Sequence, residues 1–289
     1  MSPPPIGIWF IGARGGVAST ATLGLVALGK QLAGTVGLVS ELPLFGGLDL
    51  ADWNSFVVGG HEIREGTLAD SLGRLVTDSR VLDAKLIDAC RQELDAIDTR
   101  IRPGTLANCG PTIGGLAGAS LRDFAKEPAR DAIRRLQNDL RDFQRESGVD
   151  RMVVVNVAST EPATDDLALP DRWDALSQAI DDKAWNALPA SSLYAIAALD
   201  LGLPYINFTP SLGASPVAIG ELATLRDTCH AGQDGKTGET LLKSVLAPMF
   251  AARNFEVMSW VANTLRSPTP AATTRSKSFP QVSIMSKKS

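Results

Sequence analysis

The 289-residue sequence is short of several things, and each shortage removes a class of function. It has three cysteines, Cys90, Cys109 and Cys229, widely spaced and with no Cys-x-x-Cys pair. An odd, scattered set reads as reduced thiols, neither a disulfide framework nor a zinc site, and no His/Cys cluster suggests a metal. Aromatic residues make up only 6 %, too few for a base-stacking surface. Positive charge is not in excess: the formal net charge is −4, which gives no electrostatic reason for a nucleic acid or an anionic membrane as partner. No apolar run approaches the roughly 20 residues of a membrane helix. The start, Met1-Ser-Pro-Pro-Pro-Ile6, lacks the basic region of a signal peptide, so a cytoplasmic protein is expected.

What is present is ordinary globular composition, 44 % apolar, and an alternation of apolar runs with helical stretches. Ile6–Ile11 reads as a buried strand, rich in β-branched and aromatic residues. A glycine-rich turn follows, then a helix over Ala18–Leu32. Thr35–Ser40 is a second strand candidate and Phe56–Val58 a third, ending in Gly59-Gly60. Ala129–Glu146 is an amphipathic helix, with Ile133, Leu136, Leu140 and Phe143 on one face and Gly148 as its stop. Met152–Val155 reads as a strand, Ser191–Leu201 as a helix of small residues, and Tyr205–Phe208 as another strand. Strands alternating with helices in this way predict an α/β fold with a doubly wound parallel sheet.

Gly12-Ala13-Arg14-Gly15-Gly16-Val17-Ala18-Ser19 lies between the first strand and the first helix. Glycines there let the backbone approach a pyrophosphate, and the helix N-terminus offers free N–H groups. The spacing departs from Gly-x-Gly-x-x-Gly. A tight structural turn is the alternative, and the position after the first strand favours a dinucleotide site. Glu41, closing the second strand candidate, is where a ribose-binding acid would stand, if it is not simply a solvated carboxylate. Asp234-Gly235-Lys236-Thr237-Gly238 reads as a solvated turn or as the start of a substrate site. Lys243 follows Lys236 by seven residues, on the same helical face. Cys229-His230 lacks an orienting third group and reads as surface or packing, not as a nucleophile pair. His61 reads as a packing or hydrogen-bonding residue.

Taken together, these segments resemble the inositol-3-phosphate synthase family. Gly59-Gly60-His61-Glu62-Ile63 is similar to the family's Gly-(Gly/Trp)-Asp-Ile segment, with Glu62 one methylene longer than the acid there. Asn156–Glu161, Tyr194-Ala195, Asn207–Ser211 and Gly232–Thr240 match further family segments in order. In the last, Gln233 replaces the first Asp of Gly-Asp-Asp-x-Lys-Ser-Gly-x-Thr. The resemblance implies NAD as cofactor, held by Gly12, Ala13, Arg14, Gly15, Gly16, Val17, Glu62, Ala158, Ser159, Thr160, Tyr194, Asn207, Thr209 and Ser211. It implies catalysis at Lys236 and Lys243 near the substrate, with Asp234 near the nicotinamide. The implied reaction, in inositol and phospholipid biosynthesis, turns D-glucose 6-phosphate into 1D-myo-inositol 3-phosphate by oxidation, enolisation, aldol cyclisation and reduction. Lysines suit it, because an ammonium can neutralise a phosphate or an enolate oxygen. The family's assembly is a homotetramer. A non-catalytic NAD-binding fragment and an NAD-dependent sugar-phosphate dehydrogenase are the other readings.

The domain plan expected from the resemblance is a Rossmann-like NAD-binding domain over 1–215, then the start of an incomplete α+β catalytic domain over 216–262. After Glu256 there is no Asp or Glu, and Ser, Thr, Pro, Lys and Arg dominate from Asn263 on. Ser259-Trp260-Val261 matches the family and the following residues do not. This reads as a truncation or frame change near Val261, or as a natural divergent tail. A tail of that composition, 263–289, is expected to be disordered, and synthase activity of the chain to be very low.

Overall fold

A computed structural model describes residues 4–79, 82–164, 169–235, 238–260 and 282–286. The chain forms two compact units, Met1–Asp234 and Gly235–Ser289. The first unit runs β1 (Ile6–Ile11), α1 (Gly16–Gly29), β2 (Phe56–Glu62), α2 (Leu68–Ser79), α3 (Ala84–Ala89), α4 (Arg91–Asp98) and β3 (Ile101–Pro103). It continues with α5 (Gly110–Gly114), α6 (Ala129–Ser147), β4 (Arg151–Asn156), α7 (Trp173–Asp181), α8 (Ala190–Asp200), β5 (Tyr205–Asn207), α9 (Val217–Leu225) and β6 (His230–Ala231).

The strands form one parallel sheet in the order β3-β2-β1-β4-β5-β6. This is the doubly wound arrangement expected from the sequence, two mononucleotide-binding halves meeting between β1 and β4. The alternation along β1 distributes its side chains to the two faces. Trp9 and Ile11 join the core under α6 to α9, while Phe10 and Ile8 pack with Ala18, Leu68 and Ile97 on the other face. The α6 face read from the sequence is the one buried: Ile133, Leu136, Leu140 and Phe143 are all at most 4 % exposed. Gly148 ends that helix in the left-handed conformation, φ 62° and ψ 33°, as the stop signal predicts. Gly59 is needed where it stands, because a Cβ there would come within 2.8 Å of the Trp9 indole and 2.9 Å of Phe143.

One strand expectation is corrected. Thr35–Ser40 is not a strand, and the second strand of the fold is β2, which carries on from Val58 through both glycines to Glu62. Gly37 takes φ 91°, which ends an extended run, and Val36 is fully exposed. From Val39 to Ser55 the chain makes three short 3₁₀ turns, and Leu42, Leu44, Leu48 and Leu50 remain exposed. The first unit also extends past the expected boundary at residue 215, because α9 packs on α8 and β6 adds to the sheet edge beside β5.

The second unit holds α10 (Gly238–Ala252), β7 (Phe255–Trp260) and β8 (Val282–Ser286), the two strands pairing antiparallel. The described helix begins at Gly238 and carries Lys243, while Lys236 lies outside the described residues. Of the segment expected to be disordered, 263–281 and 287–289 lie outside the described residues. Val282–Ser286 is a strand, its β-branched Val282 and Ile284 suited to pairing that the averaged tail composition concealed.

Candidate functional site

At the end of β1 the chain turns sharply. Gly12 has φ 80°, and its N–H and that of Ala13 both donate to the His61 carbonyl, at 2.9 and 3.1 Å. The Gly15 N–H donates back to the Gly12 carbonyl at 2.8 Å, closing the turn. A Cβ on Gly12 would lie 2.8 Å from the Ala158 Cα, so the loops after β1 and β4 meet at this glycine. A Cβ on Gly15 would lie 2.9 Å from the Gly12 carbonyl oxygen, whereas one on Gly16 would meet only Leu75, at 3.7 Å.

The helix that follows is left open at its start. Gly15 provides no side-chain cap, and the first turn of α1 contains no acidic residue. The Ser19 N–H takes the Gly15 carbonyl, so helix geometry leaves the Gly16, Val17 and Ala18 N–H groups without an intrahelical acceptor. Gly16 and Val17 are exposed. In the same turn the buried Ser19 hydroxyl has no partner among the described residues. An uncapped N-terminus on a 14-residue helix, beside glycines that keep the backbone accessible, fits a pyrophosphate.

Glu62 closes the neighbouring strand end. It is 5 % exposed and takes the Arg14 N–H at 2.7 Å, the Ile63 N–H at 2.8 Å and the Arg64 N–H at 3.1 Å. The Arg64 guanidinium lies 3.3 Å from both carboxylate oxygens. Arg14 directs its own guanidinium to Asp98, whose Oδ1 also accepts the Leu68 N–H. Arg14 therefore serves the loop through its backbone N–H and braces it through its side chain. His61, next on β2, is 1 % exposed. Its Nδ1 accepts the Trp9 indole N–H at 2.9 Å, and its Nε2 faces Asp139 at 3.0 Å. An indole can only donate, which puts the imidazole proton on Nε2, pointing to Asp139. Burial lowers the pKa of His61, and Asp139 opposes that shift.

The ends of β4 and β5 carry a linked polar cluster. Asn156 Nδ2 donates to Asn207 Oδ1 at 3.2 Å, and Thr209 Oγ1 donates to the same oxygen at 2.8 Å. Asn207 Nδ2 donates to the Ser211 carbonyl at 2.7 Å, and the Ala158 N–H donates to Asn156 Oδ1 at 3.3 Å. Ser159 and Thr160 are exposed beside this cluster. Asp234, with φ 62°, ties its N–H to the Thr209 carbonyl at 2.9 Å. Tyr194 is buried in α8, its hydroxyl accepting the Thr105 N–H at 2.8 Å and its ring against His61. Desolvation raises the Tyr194 pKa far above the ordinary range.

The first unit thus gathers the Gly12–Val17 loop, Glu62, Ala158–Thr160, Asn207, Thr209, Ser211 and Asp234 at the C-terminal ends of the strands, with Tyr194 packed behind them. The ribose-acid position at Glu41 is corrected. Glu41 is exposed in a 3₁₀ turn, and the acid that ends the second strand is Glu62. Lys243 stands half-buried on α10, in the other unit, and Lys236 lies outside the described residues. Cys229 and His230 are exposed at the edge strand β6. No group of three or more His, Cys, Asp or Glu able to hold a metal occurs among the described residues. None of the described helices is long and apolar enough to cross a membrane. Sequence reasoning missed Asp98, 84 residues from its partner Arg14, for which there was no local signal. It also missed Glu161, which stands inside the quoted segment Asn156–Glu161.

Comparison with known proteins agrees with this geometry. A family model described as myo-inositol-1-phosphate synthase matches residues 40–268, and it is the model of an NAD-binding domain. Inositol-3-phosphate synthase 1 of Bacteroides thetaiotaomicron is 28 % identical over 275 residues, covering 90 % of this chain and 61 % of that protein. The synthase of Spirodela polyrhiza is 27 % identical over 285 residues, covering 90 % and 54 %. The chain spans a little over half the length of these relatives. Inositol-3-phosphate synthase from Caenorhabditis elegans shares the fold with a TM-score of 0.69 at 19 % identity, over 90 % of this chain and 54 % of that one. A myo-inositol-1-phosphate synthase-related protein from Thermotoga maritima does so with a TM-score of 0.58 at 21 % identity, over 88 % and 60 %. A match of this extent, on a sheet of this order with NAD as the family's cofactor, settles the assignment: the chain belongs to the myo-inositol-1-phosphate synthase family.

Proposed function

We propose that this chain carries the NAD site and the first catalytic elements of an inositol-3-phosphate synthase acting on D-glucose 6-phosphate. The observation that carries the reading is the junction of β1 and β4, where Gly12 packs on Ala158 at the point where the strand order reverses. Bound there, NAD would supply a hydride acceptor and then a hydride donor within one turnover. The Gly16 and Val17 N–H groups would hold its pyrophosphate. Glu62, with Arg64 shared, would face the adenosine ribose. Ala158–Thr160, Asn207, Thr209 and Ser211 would line the nicotinamide half, with Tyr194 supporting them and Asp234 at its rim. Lys236 and Lys243 would neutralise the substrate phosphate and the charge that develops on the enolate oxygen. A homotetramer, like the family's, in the cytoplasm completes the reading.

The test is incubation of the chain with NAD and glucose 6-phosphate. A synthase forms inositol phosphate with no net NADH. A dehydrogenase accumulates NADH, and a binding fragment forms neither. In an active preparation, Lys243→Met should lower kcat by at least about a hundredfold and leave NAD affinity nearly unchanged, because that ammonium acts on charge formed during the reaction. Most of the turnover surviving in the variant would return Lys243 to a surface role.

A further inference from the structure

The loops that close the strand ends of β4 and β5 converge on one carboxylate that no cation accompanies among the described residues. Glu161 Oε1 accepts the Ser191 N–H at 2.8 Å, and Oε2 accepts the Ser191 hydroxyl. The same hydroxyl accepts the Gly213 N–H at 3.0 Å. The Glu161 N–H donates to Ser211 Oγ at 3.0 Å. Ser191 is the second residue of α8, whose N-cap, Pro189, has no side-chain cap of its own. Glu161 therefore caps that helix from a distant loop and places a negative charge at the positive end of its dipole. Through Ser191 and Ser211 it also fixes the 208–213 segment against the segment that follows β4.

We propose that Glu161 is a positioning residue of the dinucleotide site, whose ionised carboxylate holds the 157–161 and 208–213 loops in the arrangement that receives the nicotinamide half. The inference rests on the NAD site assigned above and adds a residue that does not itself touch the dinucleotide. The ionised form suits the geometry, since both oxygens already accept from Ser191. An added proton on Oε2 would turn the Ser191 hydroxyl hydrogen away while Gly213 keeps one of its lone pairs. Burial works against that charge and raises the Glu161 pKa, with the two Ser191 hydrogen bonds pulling it back. The carboxylate thus titrates nearer to neutrality than a solvated one.

The titratable groups facing it are Cys109, Tyr194 and Tyr205. Burial raises all three, and the Glu161 charge adds to the rise, so they stay neutral through mildly acidic pH. Behind Tyr194 lie Arg135, which stays charged, and His61, which is lowered.

The experiment measures NAD affinity of the full chain by calorimetry from pH 5 to pH 8, for wild type, Glu161→Gln, Ser191→Ala and the loop variant Gly15→Val. Expected at pH 7.5 is about tenfold weaker binding in Glu161→Gln, the scale of one lost charge-assisted contact. Wild-type affinity should fall toward the Glu161→Gln value as pH drops, while the Glu161→Gln profile stays flat. Ser191→Ala, which removes the shared hydroxyl, should weaken binding to a similar degree and guards against misfolding of the first variant. Wild-type affinity and an unchanged pH profile in both variants, with Gly15→Val impaired, overturn the role of Glu161 alone. Absence of NAD binding in wild type, or full binding by Gly15→Val, overturns the site reading and this inference with it.

Discussion

Each end of the row of strand termini is organised by a glutamate that accepts from the backbone, three N–H groups at Glu62 and one at Glu161, and the two differ in what balances the charge. At the β2 end, Glu62 takes three N–H groups and has the Arg64 guanidinium 3.3 Å away. At the β4 and β5 end, Glu161 is held by the amide and hydroxyl of Ser191, both neutral. At Glu62 a guanidinium compensates the buried charge. Burying an uncompensated one leaves a group whose protonation the surroundings can tip. Two halves related by the same doubly wound logic therefore differ in how a carboxylate is held, and the difference arises at individual side chains and not in the sheet.

The severest way to break the comparison is to strike the loop between the two ends. Gly12→Val puts a β-branched residue at φ 80° and drives its Cβ to within 2.8 Å of the Ala158 backbone. NAD affinity should fall by more than about a hundredfold and the melting temperature should drop. Gly15→Val, whose Cβ would meet the Gly12 carbonyl at 2.9 Å, should weaken binding by more than about tenfold with the fold kept. Gly16→Ala should fold normally, since only Leu75 is near, at 3.7 Å. Calorimetric titration with circular dichroism on the three proteins checks the ranking. Equal affinities would remove the loop from the site.

The β2 end is tested by Glu62→Ala. The change leaves the Arg14, Ile63 and Arg64 N–H groups without their acceptor in a place that is 5 % exposed. Unpaired buried donors of this kind should cost about 2–4 kcal/mol in a denaturant titration. Arg64→Ala should cost less, since the backbone donors keep their acceptor. A larger loss from Arg64 than from Glu62 would reverse the picture of a carboxylate-centred support.

How much of this was legible in the sequence follows from where the signals reside. β1, α6 and β4 were readable because each carries its own pattern: an apolar run, a 3.6-residue stripe with a Gly148 stop, and a second apolar run. β3 and β6, three and two residues long, carry no period at all and exist only as partners of β2 and β5. Thr35–Ser40 looked like a strand because its residue types favour one, but no neighbour is present to bury them. At the strand ends, Glu62 and the Asn207–Ser211 segment were singled out through the order of the family's motifs. Asp98 was not, because its role depends on α4 returning to a loop 84 residues earlier. Glu161 was in view but looked like the tail of a motif, and only its two contacts with Ser191, 30 residues away, show what it holds.

The gentlest test extends the comparison to His61, a buried titratable group at the end of β2 whose Nε2 faces the Asp139 carboxylate at 3.0 Å. Its folded pKa lies below the ordinary 6.5, with desolvation the largest cause. The stability it contributes is therefore present above pH 6.5 and is lost as pH falls through its lowered value. Glu161 has the opposite sign. Its folded pKa lies above the ordinary 4.5, so its contribution is full below pH 4.5 and is lost as pH rises through the raised value. On acidification from pH 7.5 to pH 5 the two effects oppose each other. Removing one should expose the other. The Glu161→Gln melting temperature, taken relative to wild type, should be lower at pH 5 than at pH 7.5, because wild type gains stability as its carboxylate protonates. His61→Gln leaves the Trp9 indole N–H without its acceptor, so it should melt lower at both pH values. Its deficit should shrink toward pH 5, because the imidazole it replaces is then costly to keep neutral. Shifts of a few degrees are expected for differences of about 1 kcal/mol. Parallel pH profiles for wild type and both variants would show that neither buried group is linked to folding, and the distinction between the two ends would then rest on geometry alone.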